Sequence, residues 1–135
     1  HLWPADSASR AHARSVSAEM HSGFVALRNE CGMNLHRPIG AKALSDNARA
    51  DIARIQELWT DCRQRYGKAG PFLFGAFSGA DAMYAPVVHR FRTYAIDVTP
   101  LMRAYMDAMM SLPAFRQWTD EGLAETIVIE KFEAD

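Results

Sequence analysis

Apolar residues recur every three or four positions along most of this chain, and that period predicts helices. Val16, Met20, Phe24, Leu27 and Cys31 form one such stripe. Asp6 stands where it can cap this first helix, while Gly32 and Asn34 stand where it should end. Pro38 and Gly40 mark a loop. A stricter stripe follows Ser45, a cap residue: Ala48, Ile52, Ile55, Trp59, Cys62 and Tyr66. Its opposite face carries Arg49, Asp51, Arg54, Glu57, Asp61 and Arg65. This second helix is expected to pack on one side and meet water on the other. Gly67 and Gly70-Pro71 stop it.

The third helix has the firmest start, in "FSGADAM" at 77–83. Ser78 is the cap, and Asp81 at the third helical position can reach back to the Ser78 backbone N–H. That is a capping box with Asp in the usual Glu place, and each cap is worth about 1 kcal/mol. Both residues read as structural rather than catalytic. After the box come Ala80, Ala82, Met83, Tyr84, Ala85, Val87, Val88 and Phe91. A helix apolar nearly all round is surrounded by others, so this one is expected at the centre. Pro86 removes one of its backbone hydrogen bonds and bends it. Thr99-Pro100 opens a fourth helix through Met102, Tyr105, Met106 and Met109. Ser111 and Pro113 restart a short fifth, carrying Phe115 and Trp118. The expectation is an all-α, five-helix bundle over residues 3–126. A tail at 127–135 follows, in which "TIVIEKFE" alternates weakly and reads as extended.

Composition narrows the function classes. The chain is 49% hydrophobic and 23% charged, enough for a real core. A net charge of -1, with both signs interspersed, offers no field for nucleic acid. No apolar run approaches membrane-spanning length. Cys31 and Cys62 lie far apart on apolar faces, which is neither a disulfide framework nor a metal motif, and a reducing cytoplasm is the expected home. The first residue is His1 rather than Met, so the chain is expected to be processed, trimmed or cut from something longer.

No glycine-rich phosphate loop, HExxH, CxxC or G-x-S-x-G occurs. Among His1, His12, His21, His36 and His89, no pair has the spacing that aligns ligands on one helix face, so no metal is expected. Met102, Met106 and Met109 at helical spacing read as core filling. His21, in "SAEMHSGF", lies beside the buried stripe and shares its edge with Ser17, Phe24 and Arg28. Two readings stay open for it: a half-exposed surface histidine, or one lining a cleft.

The stretch "GPFLFGAFSGADAMYAPVVHRF" resembles the central segment of the glutathione S-transferase C-terminal domain. In that family a Pro-Phe-Leu-Phe-Gly loop leads into a Ser/Thr-x-x-Asp capping box and a buried helix. Pro71, Phe72, Leu73, Gly75, Ser78, Ala80 and Asp81 match as they stand. "SAEMHSGF" is similar to a run on the first helix of this domain in bacterial, beta-like transferases, where a His and a Lys face the active-site cleft. His21 matches the His, and Ser22 replaces the Lys. "MDAMMSLPAFRQW" resembles the last helices, so the resemblance runs from about Trp3 to Ala124.

The resemblance implies the helical half of a protein that conjugates glutathione to a small electrophile, or uses it to isomerise or reduce one. Glutathione would be bound mainly by an N-terminal thioredoxin-like domain, and nothing in this sequence reads as βαβ. No catalytic residue is therefore assigned here. His21, Phe24, Ser17, Tyr84 and Val87 are implied to line the second-substrate pocket, and Ser78 and Asp81 to form the box. A homodimer built partly through the first two helices is implied as well. The alternative is a non-catalytic interaction module of the same fold. A haem- or metal-binding bundle is a weaker third reading.

Overall fold

The computed structural model describes residues 2–130. It contains α1 (Ser7–Ser22), α2 (Val25–Glu30), α3 (Asp46–Tyr66), α4 (Gly79–Thr93), α5 (Pro100–Ser111) and α6 (Pro113–Ala124), with one 3-10 turn at Gly67–Ala69. No strand forms among the described residues; Phe72 and Gly75 make an isolated bridge across a tight loop. The all-α expectation holds.

The helix count differs from the expected five, because the first predicted helix is two. The Gly23 N–H closes α1 by donating to the Glu19 carbonyl at 2.8 Å. Phe24 then turns into the left-handed region at φ 58. Val16, Met20, Phe24, Leu27 and Cys31 are buried on both sides of this turn. The apolar stripe runs through the break, so its period carries no sign of it.

The expected caps form. Asp6 accepts from the Ser9 N–H at 2.8 Å, and Ser45 accepts from the Ala48 N–H at 3.1 Å. Thr99 accepts from the Met102 N–H at 3.4 Å, ahead of Pro100 in the first turn. α2 has no side-chain cap of its own. Asp51, one turn into α3, accepts the Leu27 N–H at 3.0 Å instead. A donor orphaned at a helix start is thus satisfied from another helix.

α4 lies at the centre, packed against α1 and α5, while α2 and α5 both rest on α3. Trp59 of α3 fills the middle. Its ring meets Tyr105 at 4.9 Å, Phe91 at 5.2 Å and Tyr84 at 5.9 Å between centroids. The Tyr105 and Tyr84 contacts are edge-to-face, and such pairs add about 0.5–1.5 kcal/mol beyond burial. One side of α4 stays uncovered among the described residues. Ala82 is exposed, and Met83, Ala85 and Pro86 are half-buried. Pro86 lies within the helix as expected, without an N–H for the Ala82 carbonyl. After α6 the Glu125 backbone is extended, and Ile127, Val128 and Ile129 are exposed. The last part of the predicted tail, 131–135, lies outside the described residues.

Candidate functional site

The capping box sets the position of everything around the start of α4. Ser78 and Asp81 form the reciprocal box. The fully buried Asp81 carboxylate accepts from the Ser78 N–H at 2.8 Å, the Ser78 hydroxyl at 3.0 Å and the Leu73 N–H at 2.9 Å. Burial pushes this carboxyl above its usual range, against the pull of those donors. The Leu73 bond fastens the 70–75 loop to the helix. Arg63 holds the same loop from outside by donating to the Gly70 carbonyl at 2.7 Å and to the Phe72 carbonyl. Gly75 has φ 86, a conformation that favours glycine.

Once α4 is fixed, the N-terminal segment packs on its first turn. The Gly79 N–H donates to the Leu2 carbonyl at 2.7 Å. A Cβ at Gly79 would sit 3.1 Å from the Trp3 ring, so glycine is what lets the indole lie this close. The Arg14 guanidinium of α1 stands over the same ring, 5.7 Å from its centroid.

Between this segment, α1 and α4 lies a groove of about 500 Å³. Leu2 and Trp3 form one wall, Arg14, Ser17, Ala18 and His21 a second, and Gly79, Ala82 and Met83 the floor. Its surface is almost wholly apolar. The Ser17 hydroxyl is turned back to the Ala13 carbonyl at 2.7 Å. Arg14 and His21 are exposed at the rim.

The family model described as "Glutathione S-transferase, C-terminal domain" matches residues 42–121. The chain belongs to the glutathione S-transferase C-terminal domain family. A solved structure of a glutathione transferase homolog from Burkholderia gl BGR1, with bound glutathione, is similar in fold: TM-score 0.63 at 21% identity. The likeness covers 92% of this chain and 57% of that one, so the chain spans little more than half of that protein's length. No curated protein matches the chain.

The floor of the groove lies inside the region matched as a transferase C-terminal domain, and the α1 wall lies before it. Two of the implied cleft residues, Ser17 and His21, do meet there. Phe24, Tyr84 and Val87 do not, which corrects their placement with His21 on one cleft. The left-handed turn carries Phe24 into the core at 6% exposure. Tyr84 and Val87 belong to the inner face of α4 and are fully buried. The Tyr84 hydroxyl donates to the Val16 carbonyl at 3.1 Å, and burial pushes its pKa well up.

Sequence reasoning missed most of the lining. Arg14, Ser17, Ala18 and His21 stand at the three-, four- and seven-residue spacings of one helix face, a signal that reaches Arg14 once His21 is chosen. Nothing periodic pointed to Leu2 and Trp3, which lie ahead of the first helix.

Four other reactive groups of this domain, His89, His12, Cys31 and Cys62, are occupied or buried. His89 stacks on Phe115 at 4.5 Å and meets the Thr119 hydroxyl through Nε2 at 3.0 Å; burial holds its pKa down at about 4. His12 ties α1 to α3 through the Tyr66 hydroxyl at 3.2 Å and Asp61 at 3.7 Å. Burial pushes the Cys31 thiol up to about 11 and the Cys62 thiol up to about 12, so neither is a thiolate near neutral pH. Among the described residues no three His, Cys, Asp or Glu side chains gather as a metal requires. No helix among the described residues is long and apolar enough to cross a membrane.

Proposed function

We propose that this chain is the second-substrate side of a glutathione-using transferase. Its groove between α1 and α4 would hold a small electrophile. The observation that carries this reading is the apolar groove at the capped start of α4, next to a side of α4 left uncovered. The walls hold and orient an apolar molecule and exclude water from it. His21 at the rim is placed to donate to or accept from a polar edge of that molecule.

Glutathione itself does not fit these residues. It carries two carboxylates and an ammonium group, and the groove has an almost wholly apolar surface with one arginine and one histidine at its edge. The raised thiol pKa values of Cys31 and Cys62 also leave the chain without a cysteine thiolate of its own near neutral pH. This supports a reading in which glutathione is held by a separate thioredoxin-like domain, and the chain contributes binding and orientation alone. The whole protein is read as cytoplasmic and as a homodimer, and the dimer reading is supported by apolar surface on α2, where Val25 is 59% exposed.

A non-catalytic interaction module is the second reading. It is favoured by a smaller apolar depression of about 250 Å³ on the far side of Ala82, where Phe77, Ala85, Pro86 and Trp118 would suit a partner's side chain.

Amide chemical shifts during titration with 1-chloro-2,4-dinitrobenzene test the first reading. Shifts should concentrate at Ala18, His21, Gly79 and Met83, and the chain alone should show no turnover with glutathione. Shifts confined to the Phe77 and Trp118 side would favour the module. Rapid conjugation by the chain alone would overturn both.

A further inference from the structure

A second cavity, of about 430 Å³, lies between the loop that follows α2, the outer face of α6 and the tail that leaves α6. It shares no residue with the groove between α1 and α4. Its loop wall is fastened to α4. Arg90 donates to the Cys31 carbonyl at 2.8 Å, and the Tyr94 hydroxyl donates to the Gly32 carbonyl at 3.1 Å. The Asn34 side-chain oxygen then folds the loop on itself by accepting from the His36 N–H at 3.0 Å and the Arg37 N–H at 3.2 Å. Leu35 reaches α6 at Gly122, where a Cβ would sit 2.5 Å from its Cδ1. On α6 the Trp118 ring is set by edge-on contacts with His89 at 5.1 Å and Phe115 at 5.7 Å between centroids, and it remains exposed.

The charge of this lining is one-sided. Glu125 lines the cavity, and among the described residues no Lys or Arg does. Arg37, in the same loop, has its guanidinium over the Tyr94 ring at 5.2 Å. Glu121, one turn before Glu125, is taken up by the Gln117 amide at 2.8 Å. A cation entering the cavity therefore meets a carboxylate and an indole, whose face attracts positive charge. The volume is within the range of small-molecule sites, about 300–1,000 Å³.

We propose that this cavity binds small organic cations with an apolar body, such as an alkylammonium. Glu125 and Trp118 meet the cationic head, and Met33, Leu35, Ile127 and Ile129 take the body. The assignment is independent of the electrophile reading of the groove between α1 and α4.

Three probes share one apolar body and differ in their end group: 4-phenylbutylamine, 4-phenylbutan-1-ol and 4-phenylbutyrate. Each is titrated into the 135-residue chain at pH 8, where an ordinary imidazole is uncharged, and amide chemical shifts are followed. Trp118 also borders the depression beside Ala82, so shifts at Met33 and Leu35 decide the site. The amine should bind about fivefold tighter than the alcohol at low salt, the size of one partly exposed charge pair, and the carboxylate should bind most weakly. The advantage of the amine should shrink as salt rises. Glu125→Gln should remove most of it. Trp118→Leu and Ile127→Ser should weaken all three probes, with circular dichroism to establish that each variant is folded. Ile127 lies on the exposed tail, so its substitution leaves the core untouched.

Equal binding of amine and alcohol, with shifts at Met33 and Leu35, overturns the cation preference and leaves an apolar site. Shifts that avoid Met33 and Leu35, or binding indifferent to both Glu125→Gln and Ile127→Ser, overturn the site itself.

Discussion

The starts of α4 and α2 solve the same problem by opposite means. Both leave backbone N–H groups without a helical partner. At α4 the answer is local: Ser78 and Asp81 lie three residues apart and satisfy each other's turn. At α2 the cap position holds Phe24, which has no side-chain acceptor, and Asp51 serves Leu27 from 24 residues away. A local cap shows its pattern along the chain. A borrowed cap depends on α2 and α3 having already packed, so it has no pattern of its own.

The difference can be broken most directly at Asp81. Asp81→Ala orphans three buried donors, and the domain should lose about 3 kcal/mol in urea unfolding, at about 1 kcal/mol per bond. Ser78→Ala should lose about 1 kcal/mol, and the double variant less than the sum, because the two residues share one motif. A loss below about 1 kcal/mol for Asp81→Ala would mean that the Leu73 bond contributes little and that α4 starts without it.

The next effect comes from pH and concerns two buried ionisable groups of α4, His89 and Asp81. Burial holds His89 down at about 4 in the folded state, against 6.5 in an ordinary setting. The unfolded chain takes up this proton first as pH falls. The stability contributed by neutral His89 is complete above about pH 6.5 and is lost between there and about pH 4, by at most about 3 kcal/mol. Asp81 has the opposite sign. Its folded pKa is raised, so the folded state protonates first, and its contribution is larger in acid and declines as pH rises through the folded value. Thermal unfolding between pH 7 and pH 4 should therefore show a falling Tm that His89→Gln flattens. A Tm that holds steady in the parent chain would mean that His89 is wetter than its stacking on Phe115 implies.

The smallest effect lies at the borrowed cap. Asp51→Ala should cost about 1 kcal/mol, the usual worth of a helix cap. Hydrogen exchange should separate this variant from the α4 ones: faster exchange confined to Leu27 and its neighbours for Asp51→Ala, spread through the core for Asp81→Ala. If Asp51→Ala also loosens the core, the two starts are one cooperative unit and their contrast is only of origin.

Much of the fold was legible for a physical reason. Period, cap residues and prolines act within four residues of one another, and that is the range over which a linear chain displays its own physics. α3, α4, α5 and α6 begin close to where Ser45, Ser78, Thr99-Pro100 and Pro113 placed them. The candidate site was legible only in part. His21 and Ser17 could be placed together because they share one helix face. Tyr84 and Val87 could not be told from Ala82 and Met83, because α4 is apolar on every side and the pattern does not say which side is covered.

The sequence by itself determined the all-helical class, the capping box, the family resemblance and the absence of a local catalytic motif. Each of these is written in neighbouring residues. Only the tertiary structure decided that the first apolar stripe bends at Phe24, that Asp51 caps a distant helix, and that Trp3 lies on Gly79 beneath Arg14. These are meetings of segments separated by many residues. Packing selects them through close approach and burial, which no local period records.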